Sequence, residues 1–95
     1  MKNYTSKRIY EECQQSGFYY PRVILRVWFV EVDDMGQEID RGCKDIFSRR
    51  QRKFSTYRGT QNFIANERGR VTRFADSRYP EAVWVEDKRG DAGGR

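Results

Sequence analysis

The sequence predicts an α+β domain in which a small antiparallel sheet carries two short helices, in the order α-β-β-α-β-β. Two stretches place apolar residues at helical spacing and are followed by glycine, as short helices are. Other stretches alternate apolar residues as β-strands do. The chain has 95 residues, of which 37% are hydrophobic and 15% aromatic. We therefore expect a single domain over residues 1–87 and, because the last residues are polar or glycine, a disordered tail over residues 88–95.

The first predicted element is a helix over residues 6–15. Thr5 or Ser6 can accept hydrogen bonds from the first free amides, and Gly17 fits a left-handed helix stop. Three residues then fall on one helical face and would contact the core. They are Ile9, Tyr10 and Cys13.

A long strand is predicted over residues 22–33, because alternate residues are apolar on both of its faces. A strand with two apolar faces is expected at the centre of a sheet. A turn follows at residues 33–36, since Asp bonds its own backbone and Gly accepts a positive φ. The returning strand, over residues 37–47, places apolar residues four apart with polar residues between them, which predicts an edge strand. These apolar residues are Ile39, Cys43 and Phe47.

A second helix is predicted over residues 55–67, with Ser55 as its cap and Gly69 as its stop. Two short strands complete the order, at residues 70–74 and, after a Ser-Arg-Tyr-Pro turn, at residues 82–87. An antiparallel sheet with both helices on one face is the simplest way to bury one apolar side of each element.

Both cysteines and both tryptophans are expected inside the domain. Cys13 and Cys43 form no CxxC pair and no cluster of zinc ligands, so they are predicted to be small buried side chains. Trp28 and Trp84 lie in apolar runs with β-branched neighbours, which predicts core aromatics.

Positive charge is concentrated in the second half of the chain. The formal net charge is +5, yet residues 1–47 hold seven Lys or Arg against eight Asp or Glu, whereas residues 48–95 hold twelve against six. Within residues 49–78, nine cationic residues are opposed only by Glu67 and Asp76. This distribution favours an anionic partner for that segment.

Arginine dominates the basic segment, and its guanidinium group offers a planar set of donors that matches phosphate or carboxylate. Two tyrosines lie beside arginines, where their rings can stack on bases while the cations hold the backbone. We expect Arg68, Arg70 and Arg78 to converge near one end of the sheet. The candidate binding residues are Arg49, Arg50, Arg52, Lys53, Arg58, Arg68, Arg70, Arg73, Arg78, Tyr57 and Tyr79.

Five carboxylates surround the predicted hairpin, at Glu31, Asp33, Asp34, Glu38 and Asp40. Carboxylates in such a group could bind a hard cation such as Mg²⁺. Turn chemistry explains them better, since hairpin turns favour Asp and charge on an exposed strand prevents edge-to-edge pairing. The sequence therefore predicts no metal site and no cofactor.

Residues for enzymatic chemistry are scarce, because the chain contains no His and no general base lies beside either cysteine in the sequence. The leading hypothesis is a small, basic, non-enzymatic module that binds nucleic acid, either DNA or RNA, through its arginine-rich surface. The alternative is a protein-interaction or inhibitor module of the kind carried by phages and plasmids. Such a module would bind an acidic or nucleic-acid-binding surface of a host protein.

Two further expectations concern assembly and location. An acidic hairpin and a basic second half permit a homo-oligomer, because complementary charge steers encounter. No stretch approaches the roughly 20 apolar residues that span a bilayer, and the amino terminus has no signal pattern. We therefore expect a cytoplasmic protein that does not contact a membrane.

Overall fold

A computed structural model describes residues 1–86, which form four strands and one helix. In chain order these are β1 (Lys2–Ser16), β2 (Phe18–Val32), β3 (Glu38–Phe47), α1 (Tyr57–Arg78) and β4 (Val83–Trp84). The predicted order α-β-β-α-β-β is therefore wrong. The segment expected to be the first helix is a strand, and the strand expected at residues 70–74 belongs to α1. The expected tail over residues 88–95 lies outside the described residues.

The strands form one mixed sheet in the order β3-β2-β1-β4. β1 and β3 both pair antiparallel with β2, whereas β4 pairs parallel with β1, so the sheet is not purely antiparallel. The predictions of a central strand at β2 and an edge strand at β3 are confirmed. β4 has two residues, fewer than the expected strand over residues 82–87, of which Asp87 lies outside the described residues.

β1 is a strand whose alternation is hidden by charged residues. Lys7, Ile9 and Glu11 are paired across the sheet with core-facing residues of β2 and lie on the side that α1 covers. The Lys7 ammonium is buried and donates to the Tyr79 carbonyl at 2.7 Å, and it lies 3.3 Å from the Asp76 carboxylate. Because two of these three inward positions are charged, the strand does not show an alternating apolar pattern.

Two hairpins connect the first three strands. Gly17 lies at the turn between β1 and β2 and has φ +76°. The expected left-handed conformation is therefore present, but it forms the turn of a hairpin and does not end a helix. At the second turn, an Asp33 carboxylate oxygen accepts hydrogen bonds from the amides of Met35 and Gln37, both at 2.9 Å. Gly36 has φ +81°, and the predicted turn at residues 33–36 is confirmed.

The helix α1 begins close to the predicted position but extends much further. Thr56, not Ser55, is its N-cap and accepts a hydrogen bond from the Gly59 amide at 3.1 Å. The helix then continues through Gly69, the predicted stop, because its buried stripe does not end there. That stripe consists of Thr60, Ile64, Glu67, Val71 and Ala75.

The core lies between α1 and the side of the sheet that faces it. Its buried residues are Ile9, Val23, Leu25, Val27, Ile64, Val71, Ala75, Tyr79 and Ala82. Burying one aliphatic side chain of this size contributes about 1.5–3 kcal/mol. The other side of the sheet is called the open face below. It consists of the even-numbered residues of β2 from Phe18 to Trp28 and their cross-strand partners, and among residues 1–86 no helix covers it.

Burial of the cysteines and tryptophans differs from expectation. Cys13 is half-buried and Cys43 is exposed, because Cys43 lies on the edge strand. Trp28 is half-buried on the open face, and Trp84 is exposed while its indole donates to the Asp76 carboxylate at 2.9 Å. The prediction that all four are core residues is wrong. In the described part of the chain, no helix is long and apolar enough to cross a membrane.

Candidate functional site

A segment of residues 46–66 contains no Asp or Glu and carries five cations. It leads from the end of β3 to the first half of α1 and runs beside β2. The Ser48 amide donates to the Val23 carbonyl at 3.0 Å, and Phe54 and Tyr19 exchange two backbone hydrogen bonds at 2.8 Å. These bonds hold the segment against β2 and direct it towards the turn between β1 and β2.

That turn carries aromatic side chains and no charge. Residues 13–21 contain no Asp, Glu, Lys or Arg. Phe18 and Tyr20 are each 41% exposed. The Lys53 ammonium lies 4.6 Å from the centre of the Phe18 ring, and the Arg52 guanidinium lies 5.3 Å from that of Phe54. The basic end, as used below, comprises residues 49–58 and the hairpin tip at residues 16–20.

The amino terminus of α1 adds positive potential at the same place. Tyr57, in the first turn, is 65% exposed, and its ring lies edge-on to that of Tyr19 with centroids 6.3 Å apart. The first turn contains no acidic residue, so the partial positive charge of the helix dipole is not offset there. Arg58 increases that potential.

Within residues 1–86 the cations of the basic end form no ion pair, unlike several cations on the sheet. Arg22 pairs with Glu12 at 3.0 Å, Arg26 pairs with Asp45 at 2.7 Å, and Arg41 pairs with Glu38. By contrast, no carboxylate within residues 1–86 forms an ion pair with the basic-end cations. These cations are Arg49, Arg50, Arg52, Lys53 and Arg58. Their charge is therefore available to an external anion.

The remaining predicted site residues lie elsewhere. Arg68 faces the sheet and contacts Glu11 at 3.4 Å, and Arg70 pairs with Glu67 at 3.3 Å. Arg73 and Arg78 are exposed on α1, and Tyr79 is buried in the core. The expected convergence of Arg68, Arg70 and Arg78 assumed a strand and a loop, whereas all three lie on α1. Successive helical residues are turned by about 100°, and Arg78 lies about 15 Å along the axis from Arg68.

Arg49 and Arg50 line a groove between the end of β3 and α1, with a volume of about 460 Å³. Phe74 lies on its helical side, and Ile46 lies on its sheet side. Glu67 is buried at its base and has one carboxylate oxygen without a hydrogen-bond partner among the described residues. The basic end thus has two surfaces. One is this groove, which Arg49 and Arg50 line, and the other is the hairpin tip, where Arg52 and Lys53 lie.

The middle of the open face is occupied by a closed polar group. The Arg26 guanidinium donates to both carboxylate oxygens of Asp45, at 2.7 and 2.9 Å, and to the Tyr10 hydroxyl at 2.6 Å. Hydrogen bonds from Arg26 lower the pKa of Asp45, and burial raises the pKa of Tyr10. Because these groups satisfy one another, this part of the face offers little to an external ligand.

Acidic residues gather at the end of the molecule away from the basic end. The hairpin that joins β2 to β3 holds Glu31, Asp33, Asp34, Glu38 and Asp40. The molecule measures 54 × 23 × 22 Å, so charge is distributed along its long axis. Among residues 1–86, no group of three or more potential metal ligands is close enough to hold an ion.

The predicted site omits two residues that the structure places at the basic end, Phe18 and Tyr20. In the sequence they precede the long strand and carry no charge, so neither periodicity nor charge marks them. The available signal is the aromatic run Phe18-Tyr19-Tyr20 directly after a glycine. A turn that bears exposed rings is a common form of contact surface.

The fold and its charged end define a small mixed-sheet α+β protein with a basic, aromatic end. Compared with known proteins, the chain matches no protein-family model, no curated protein and no solved structure.

Proposed function

We propose that this chain is a non-enzymatic module that binds nucleic acid through its basic end. The observation that carries the proposal is a set of five cations that form no ion pair within residues 1–86, at the end of the molecule that also holds exposed aromatic rings and a helix amino terminus. Phosphates are attracted to such cations and to helix amino termini, and bases stack on exposed rings. This proposal keeps six of the candidate residues as contacts and leaves out the other five. Those kept are Arg49, Arg50, Arg52, Lys53, Arg58 and Tyr57, and those left out are Arg68, Arg70, Arg73, Arg78 and Tyr79.

The test is the salt dependence of binding to labelled oligonucleotides, measured by fluorescence anisotropy. If three of the five cations contact phosphates, the logarithm of affinity should fall with the logarithm of salt concentration with a slope of about −2 to −3. The triple variant Arg52→Ala/Lys53→Ala/Arg58→Ala should lose at least about tenfold in affinity and flatten that slope.

A matched control removes the same charge from other surfaces. The variant Lys2→Ala/Arg73→Ala/Arg78→Ala alters three exposed cations away from the basic end. Its affinity should change by less than about threefold, because surface charges beyond a Debye length are screened. Equal losses in both triple variants would mean that net charge, and not the basic end, accounts for binding. A wild-type slope near zero would remove the proposal.

The groove beside α1 favours a second candidate, a protein-interaction or inhibitor module. Arg49 and Arg50 flank an apolar surface that includes Phe74, which is exposed, and such a surface suits an acidic segment with apolar side chains. This candidate gains support if no oligonucleotide binds at low salt and a host protein is recovered whose binding requires Arg49 and Arg50. Oligonucleotide binding that weakens in Arg49→Ala/Arg50→Ala, with no host protein recovered, argues against it.

A further inference from the structure

Two exposed rings of the hairpin tip lie on the same side of the sheet. Phe18 and Tyr20 are two residues apart in β2, and their cross-strand partners are Ser16 and Gln14. Alternate residues of a strand point to the same face, so both rings lie on the open face. Tyr19, between them, faces the other way and contacts Tyr57 of α1. The two rings therefore form a row that α1 does not cover.

From this arrangement we propose that the basic end binds single-stranded nucleic acid, with consecutive bases stacked on Phe18 and Tyr20. The inference rests on the proposed function and specifies its substrate class. The spacing of the rings and the charges beside them favour a single strand over a duplex.

The spacing of the rings disfavours a duplex. Residues two apart in a strand are separated by about 6.6 Å. Neighbouring bases in a duplex strand rise only about 3.4 Å and are stacked on each other, so they cannot each contact one of these rings. Bases in a single strand can separate and stack individually on aromatic side chains.

Cations lie beside this row at positions suited to the phosphates. The Lys53 ammonium is 4.6 Å from the centre of the Phe18 ring. Tyr20 and Arg52 line the same recess of about 210 Å³, together with Gln14, Gln51 and the Glu12–Arg22 ion pair. A base stacked on Tyr20 would meet hydrogen-bonding groups at its edge, and the backbone would meet Arg52 and Lys53.

The decisive experiment measures binding affinity by fluorescence anisotropy. The labelled ligands are dodecathymidylate, dodecauridylate and a duplex of equal length. The proteins are wild type, Phe18→Leu, Tyr20→Leu and Tyr20→Phe. Wild type should bind the single strands at least about tenfold more tightly than the duplex. Each leucine variant should lose about five- to hundredfold on single strands only, and Tyr20→Phe should bind as wild type because the ring remains. Comparison of the two single strands distinguishes DNA from RNA.

Trp84→Leu is the matched control, because Trp84 is an exposed aromatic residue on β4 that lies outside both the row and the groove beside α1. Its single-strand affinity should equal that of wild type. Photocrosslinking of an iodouracil-substituted strand, followed by mass spectrometry, should label Phe18 or Tyr20 even if a leucine variant folds poorly. Equal binding of single and double strands without an effect of the leucine variants, or crosslinks confined to other segments, would overturn the inference and leave the proposed function standing. Absence of binding to every oligonucleotide would reject both.

Discussion

The polar group formed by Tyr10, Arg26 and Asp45 links all three long strands on the open face. Arg26 lies on β2 and donates to Asp45 on β3 and to the hydroxyl of Tyr10 on β1. The Tyr10 hydroxyl in turn donates to Asp45 at 3.1 Å. Each polar atom gains partners that replace water, so the group stabilises the sheet as long as Asp45 is ionised.

This dependence on ionisation predicts the behaviour of Asp45→Asn in acid. Hydrogen bonds from Arg26 lower the pKa of Asp45 in the folded state. The ionised carboxylate therefore stabilises the fold fully above its unfolded pKa of about 4. This stabilisation is lost as the pH falls through the lower pKa of the folded state. At neutral pH the variant should be less stable by about 1 kcal/mol, because Arg26 is 37% exposed and solvent weakens the pair.

Urea unfolding of both proteins between neutral and strongly acidic pH provides the measurement. The difference in the free energy of unfolding should shrink below the unfolded pKa of the carboxyl. A difference that stays constant across this range would show that Asp45 acts through its shape and not its charge.

At the scale of elements, α1 contains two glycines in different surroundings. A Cβ atom on Gly59 would lie 3.1 Å from both a Phe54 ring carbon and the Thr56 hydroxyl oxygen of the cap. A Cβ on Gly69 would meet only an Arg73 side-chain nitrogen, at 3.6 Å, which is an ordinary contact. The helix therefore has room for alanine at the second glycine and not at the first.

We expect Gly69→Ala to raise the free energy of unfolding by about 0.5–1 kcal/mol, since alanine loses less backbone entropy in a helix. Gly59→Ala should give no gain or a loss, because Phe54 and the cap must shift. Thermal and urea unfolding of the two variants test this contrast. Equal stabilisation by both substitutions would contradict the close contact at Gly59.

Secondary structure was predictable where burial and hydrophobicity coincide. β2 and β3 and the turn between them follow from alternation and from Asp33 and Gly36. β1 does not, because Lys7 and Glu11 occupy its inward positions and are neutralised by partners distant in sequence. The sequence predicts a helix that ends at Glu67, because Gly69 is a typical stop, whereas the buried stripe of α1 continues to Val71 and Ala75. In both elements tertiary partners override the local pattern.

For the candidate site, the sequence identified the basic segment but not its geometry. The cations of residues 49–58 could be found from composition, since no carboxylate interrupts them. Arg73 and Arg78 share the charge of these cations, and the sequence predicts a strand for Arg73 and a turn for Arg78 after a helix stop at Gly69. The continuous helix carries them away instead.

For the whole molecule, opposite charges at the two ends of a 54 Å long particle predict weak head-to-tail association. Sedimentation velocity should show a sedimentation coefficient that rises with protein concentration at about 20 mM salt and not at about 300 mM, where screening shortens the Debye length. Glu31→Gln/Asp34→Asn and Arg52→Ala/Lys53→Ala/Arg58→Ala should each abolish this rise. Association that persists in either variant would locate the contact elsewhere.

The ammonium of Lys7 restricts how the helix can dock on the sheet. It donates to the carbonyls of Ala75 and Tyr79 at the carboxyl end of the helix, at 3.5 and 2.7 Å. A helix displaced by one turn, about 5.4 Å, would leave a buried cation facing apolar side chains. Aliphatic contacts alone tolerate such sliding, since one small apolar residue resembles another. A single lysine near the beginning of the chain thereby selects one alignment among several that would satisfy hydrophobic burial equally well.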